Sequence, residues 1–221
     1  MYLRRSMLGI LGAAVAAGTV AAAELTGVRT EDNATIIALR GDIEEGDADG
    51  TEALIKTAND DGRLVMAIRL DSPGGSLAEG IKLAELIRRA KLPTVVVSGA
   101  RCASACFIVF AAGVEKFASF GAAIGVHGVS DRLGHQSAQT EAATLAMARI
   151  AGLFGVPPRI VGRMIVTRPD AIAWLSPDDL RSMGAIMTDR VEQPAPPVSA
   201  SKPAGPARRW LVRAPHRADE P

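Results

Sequence analysis

Ser104 is the residue in this chain best placed to act as a nucleophile. It lies among small neighbours in Gly99-Ala100-Arg101-Cys102-Ala103-Ser104-Ala105-Cys106. The run Thr94–Val97 before it, bounded by Pro93 and Gly99, predicts a strand. Ala103–Ala112 is apolar on nearly every face and predicts a buried helix. A serine at such a junction gains the positive end of a helix dipole and nearby unpaired backbone N–H groups. Acyl transfer through serine also needs a base for the hydroxyl proton and donors for the oxyanion. The chain has three histidines. His216 falls in a Pro- and Ala-rich tail and His135 in a polar loop. His127 instead ends a short apolar run, with Gly125 and Gly128 on either side leaving room for close approach. A lone histidine on an apolar strand is ordinarily a satisfied structural residue. A third piece, Asp71-Ser72-Pro73-Gly74-Gly75-Ser76, follows the strand Leu64–Leu70. By itself it reads as an ordinary turn before a helix N-cap.

In this order, Ser-Pro-Gly-Gly, the serine of Cys-Ala-Ser-Ala-Cys and the histidine of Gly-Val-His-Gly resemble the proteolytic subunit of Clp protease. The resemblance is greatest to secreted or periplasmic ClpP-like proteins and runs over residues 34–191. It implies an α/β fold of ClpP/crotonase type, built of repeated strand-turn-helix units. It implies a serine-type endopeptidase with Ser104 as nucleophile and His127 as base. The backbone N–H groups of Gly75 and Ala105 would form the oxyanion hole, where glycine lets the backbone approach substrate without a Cβ in the way. It further implies peptide or unfolded-protein substrates, no cofactor, and a homo-oligomer.

The family sets an orienting aspartate just before the segment that here is Trp174-Leu175-Ser176. The strict counterpart in this chain is Ile172. Asp170, two residues earlier, is taken as the third member, with a Ser–His dyad or a backbone carbonyl as orienter left open. Asp178 and Asp179 read as first-turn helix charges. The departure at 172 also keeps open a non-catalytic binding or assembly protein on the same fold. A crotonase-type acyl-CoA enzyme fits poorly with export, because CoA thioesters are cytosolic.

The elements that must position these residues alternate. Thr35–Leu39 predicts a strand, Asp47–Asn59 a helix, Leu64–Leu70 a strand, and 77–89 a helix capped by Ser76 with Glu79 completing a capping box. Strand Thr94–Val97 and the helix of Ser104 follow. This is the pattern of a parallel α/β domain. Short strands are expected near Lys116–Ser119 and Ile124–His127, then helices over Ser137–Phe154, Pro158–Val166 and Trp174–Gly184, and a last strand over Ile186–Val191.

Residues 1–23 read as an export signal, with Arg4 and Arg5 before the apolar run Met7–Val20 and a small-residue cleavage site ending at Ala23. An uncleaved anchor is the alternative. Residues 24–192 then form the peptidase domain, and 193–221 a disordered Pro/Ala/Arg-rich tail. Net charge is +1, and no basic stripe with interleaved aromatics occurs, so nucleic acid is a poor partner. A periplasmic or secreted protein has no ATP supply, and no Walker-type loop is present, so no ATPase partner is expected. The two cysteines, Cys102 and Cys106, flank Ser104. Two readings stand for them: a disulfide made in an oxidising compartment, or two buried thiols packing the helix. Without a His or carboxylate cluster beside them, they do not read as a metal site.

Overall fold

The computed structural model describes residues 23–131 and 133–189. Of the expected export segment only Ala23 falls within them, and the expected tail, with His216, lies outside. The chain begins with a hairpin, β1 (Glu24–Arg29) and β2 (Thr35–Arg40). There follow α1 (Asp47–Asp60), β3 (Val65–Asp71), α2 (Leu77–Ala90), β4 (Thr94–Val96), β5 (Arg101–Ala103) and α3 (Ala105–Ala111). Then come β6 (Lys116–Ala118), β7 (Ala123–Val126), α4 (Ala138–Leu153), α5 (Pro158–Val166), β8 (Ala173–Trp174), α6 (Pro177–Ser182) and β9 (Ala185–Met187).

Two sheets result. The larger runs β1-β2-β3-β4-β6-β9 and is parallel except for β1, which pairs antiparallel with β2. The smaller runs β5-β7-β8. The β-branched runs of β2 and β4 bury nearly every side chain, as parallel strands covered on both faces must. Helix α3 is the hub of the core: Phe107, Ile108, Val109 and Phe110 have no exposed surface. Its apolar character on all sides is what lets it lie buried.

Several expectations shift. The helix expected over Ala103–Ala112 is shorter, because residues 101–103 pair with β7 as a strand. Three residues reading Arg-Cys-Ala carry no alternation of their own; the neighbouring strand makes them a strand. The segment expected as one helix from Trp174 divides into β8 and α6, with Ser176 capping the latter. The last strand starts one residue earlier, at Ala185. The hairpin strand β1, mostly exposed, carries no core pattern.

The capping box at α2 is only half made. Ser76 Oγ accepts from Glu79 N–H at 3.3 Å, but the Ser76 N–H donates to the Ile43 carbonyl instead. The Glu79 carboxylate crosses to α1 and accepts from the N–H groups of Gly46 and Ala48 at 3.2 and 2.9 Å. It thereby satisfies orphan donors at the start of a helix whose own N-cap is a glycine. Burial pushes its carboxyl up, yet the Ala48 N–H and Lys82 ammonium outweigh burial and leave it below its ordinary value.

Candidate active site

The smaller sheet brings the serine and histidine segments side by side. Parallel pairing of β5 with β7 sets Ala103 beside Gly125. Ser104 follows the last residue of β5, and His127 the last of β7. Both lie just beyond the carboxyl ends of adjacent parallel strands, where α/β folds present their chemistry. Ser104 precedes the first turn of α3 with φ 56 and ψ −126, a left-handed φ that costs a non-glycine residue about 1–3 kcal/mol. Tertiary structure holds it there. A Cβ on Gly74 would stand 2.6 Å from the Ser104 Cβ, so the Gly-Gly turn packs directly against Ser104 and tolerates only glycine.

That turn is tied to β5 by backbone and side chain. Ser72 N–H donates to the Arg101 carbonyl, and Ala103 N–H to the Ser72 carbonyl. The Ser72 hydroxyl, fully buried, accepts from Gly74 N–H at 3.1 Å, and Asp71 accepts from Arg101 N–H at 3.1 Å. On its far side the turn pairs with Ile43. Gly75 has φ 135, and a Cβ there would meet the Ile43 carbonyl oxygen at 2.3 Å. The N–H groups of Gly75 and Ala105 donate to nothing among the described residues. They are the free donors that an oxyanion needs.

Cys102 and Cys106 form a disulfide, with Cα atoms 5.2 Å apart. The bond links the end of β5 to the first turn of α3 and spans Ser104 and Ala105. Both cysteines are fully buried, so the bond lies within the core.

His127 is half-buried, and its Nδ1 lies 2.7 Å from the Gly128 carbonyl oxygen. A carbonyl only accepts, so Nδ1 carries the proton and Nε2 presents the lone pair of the neutral ring. Neither Nε2 nor the Ser104 hydroxyl has a hydrogen-bond partner among the described residues.

Among the described residues no carboxylate hydrogen-bonds to His127. Asp170 is exposed and held by Arg168 through bonds of 3.1 and 3.2 Å; that guanidinium keeps its carboxyl below the ordinary value. In the antiparallel β7–β8 ladder Val126 faces Ala173. One further step sets Ile172 opposite His127. Ile172 packs onto Gly125, where its Cγ2 would stand 2.4 Å from an added Cβ. So the position suited to an orienting acid holds an isoleucine, and a main-chain carbonyl occupies Nδ1 instead.

One buried carboxylate carries more weight than its sequence reading as a first-turn charge. Asp179 accepts from Ser176 N–H and O–H at 3.0 Å and pairs with Arg159 and Arg163. Burial would raise it, but Ser176 and the two arginines hold it at about 2. Arg163 also donates to the Trp174 carbonyl at 2.5 Å, fastening β8 beside β7. The pairing joins residues 16 and 20 apart, beyond the reach of local pattern. His135 is an exposed loop residue beside Asp131. Among the described residues no group of three or more His, Cys, Asp or Glu side chains is placed to hold a metal.

The family model of Clp protease matches residues 25–151. The chain belongs to the Clp protease family. Its α/β fold is of the ClpP/crotonase kind. It is similar to ClpP1 from Listeria monocytogenes, with TM-score 0.55 and 16% identity over 69% of this chain and 91% of that one. It is also similar to the ClpP catalytic domain from Plasmodium falciparum, with TM-score 0.52 and 18% identity over 72% and 88% of the two chains. A serine-to-alanine mutant of the 1510-N membrane-bound stomatin-specific protease gives TM-score 0.53 and 20% identity over 70% and 78%. No curated protein sequence matches the chain.

Proposed function

We propose that this Clp-family chain is an exported, ATP-independent serine endopeptidase acting on peptides or unfolded segments. Ser104 Oγ attacks the scissile carbonyl carbon and passes its proton to His127 Nε2. The N–H groups of Gly75 and Ala105 receive the developing oxyanion. Collapse of the tetrahedral species breaks the C–N bond, and Nε2 returns the proton to the leaving amine. Water then attacks the acyl-enzyme with His127 again as base, releasing the acid and restoring Ser104. Nδ1–H stays on the Gly128 carbonyl throughout, so the pair works as a dyad with a main-chain orienter.

The observation that carries this reading is the arrangement at the ends of β5 and β7: serine, histidine with a free Nε2, and two unpaired N–H groups around one turn. The export signal supports a periplasmic or secreted location, and the disulfide beside the nucleophile agrees with an oxidising compartment. Assembly as a homo-oligomer follows from family likeness.

The test is hydrolysis of an unstructured peptide without ATP. Ser104→Ala should lower kcat by several orders of magnitude while thermal unfolding stays cooperative. Unchanged hydrolysis in that variant would end the reading. A second reading, a non-catalytic binding protein on this fold, draws on Ile172 in place of an acid. It expects no Ser104-dependent turnover at all.

A further inference from the structure

Among the described residues His127 has no carboxylate partner, and the one hydrogen bond of its ring goes to the main chain. The carbonyl that accepts from Nδ1 belongs to Gly128, and the N–H of the same peptide group is that of Val129. This N–H donates to Thr144 Oγ1 at 2.8 Å. The Thr144 hydroxyl donates in turn to the Thr140 carbonyl at 2.9 Å within α4. An unbroken chain of hydrogen bonds thus runs from the imidazole, through one peptide group, to the hydroxyl of Thr144, a residue only 6% exposed.

The bond to Thr140 is what a threonine inside a helix ordinarily makes. The bond from Val129 is not: it reaches 15 residues back to the loop that follows β7. Gly128 is also held from its other side, its N–H donating to the Thr167 carbonyl at 2.8 Å. A Cβ on Gly128 would stand 3.3 Å from the Thr167 carbonyl oxygen and 3.4 Å from Thr144 Oγ1, so this peptide group is packed between the two.

We propose that Thr144 is a positioning residue for His127, its buried hydroxyl pinning and polarising the Gly128–Val129 peptide group. The inference rests on the Ser104–His127 reading given above. Hydrogen bonds in series strengthen one another: an N–H engaged by an acceptor leaves its peptide carbonyl a better acceptor. The carbonyl then keeps the proton on Nδ1 and directs Nε2 toward Ser104. A neutral peptide supported by a threonine thereby takes the place that a carboxylate holds in a triad, and no charge is buried to do it.

The test uses the full chain with Thr144→Val, which removes the acceptor, and Thr144→Ser, which keeps it. Nitrogen NMR of His127 without substrate reads the tautomer directly. In Thr144→Val the single Nδ1–H tautomer should give way to a mixture, and peptide kcat should fall about tenfold or more with KM within twofold. Thr144→Ser should restore both. A Thr144→Val protein with native His127 signals, or a Thr144→Ser protein as impaired as the valine one, would overturn the proposal. Should the valine variant not fold, Thr144→Cys, a weak acceptor of similar size, carries the same comparison against Thr144→Ser. Because the NMR reading needs no turnover, the two ideas separate. A tautomer shift in a protein that hydrolyses nothing upholds the positioning and sinks the peptidase. Native signals beside Ser104-dependent hydrolysis do the reverse.

Discussion

Ser104 keeps a left-handed φ only because what surrounds it leaves no alternative: β5 before it, α3 after it, the disulfide across it and Gly74 against its Cβ. His127 is fixed by one carbonyl. In the proposed mechanism these two residues act as a unit, so His127→Ala should cost nearly as much in kcat as loss of the serine. Asp170 pairs with Arg168 in solvent, so Asp170→Asn should leave kcat within about twofold, the size of a surface ion-pair change. Steady-state kinetics of the two variants side by side decides this, and a large loss in Asp170→Asn would restore a triad. The placement of Ser104 and His127 at adjacent strand ends was legible because each sits in a short local context of small residues. Thr144 and the Gly128 peptide were not, because their meeting depends on how α4 docks, which no local spacing encodes.

Among the elements, strands with β-branched runs and helices with clear stops fell where sequence placed them; α5, opened by Pro158, agrees at both ends. What sequence missed was made by tertiary pairing. β5 and β8 are strands because β7 lies between them. Glu79 leaves its own helix to cap another. Asp179 joins α5, α6 and β8 through Arg159, Arg163 and Ser176. Its carboxyl is depressed from 3.8 to about 2. The stability it brings is therefore full above its unfolded value and is lost as pH falls from about 5 toward 2. The linkage is worth about 2 kcal/mol for a carboxyl this buried. Asp179→Asn leaves two arginines facing a neutral amide and should destabilise by about 3 kcal/mol at neutral pH. Urea unfolding at pH 7 and pH 3 measures both: the native protein should lose stability between them, and the variant should lose less. Equal losses would remove Asp179 as the acid-sensitive group.

For the whole molecule, the disulfide bears on both the proposed chemistry and the proposed oxidising compartment. The loop it closes is short, and chain entropy gives it about 2 kcal/mol. Its main effect is to hold the turn that presents Ser104 and the Ala105 N–H. Alkylation of the non-reduced protein should leave both cysteines unmodified. Reduction should lower hydrolysis while far-ultraviolet circular dichroism stays native. Two alkylated cysteines would separate the active site from the bond, and the oxidising compartment would lose its structural support.

The central claim is that Ser104 is an activated nucleophile. Its most direct measurement is labelling of the intact protein with a fluorophosphonate, followed by mapping of the adduct. One phosphonyl group should appear on Ser104, with labelling abolished in Ser104→Ala and slowed at least a hundredfold in His127→Ala. An unlabelled native protein, or an adduct on any other residue, would contradict it.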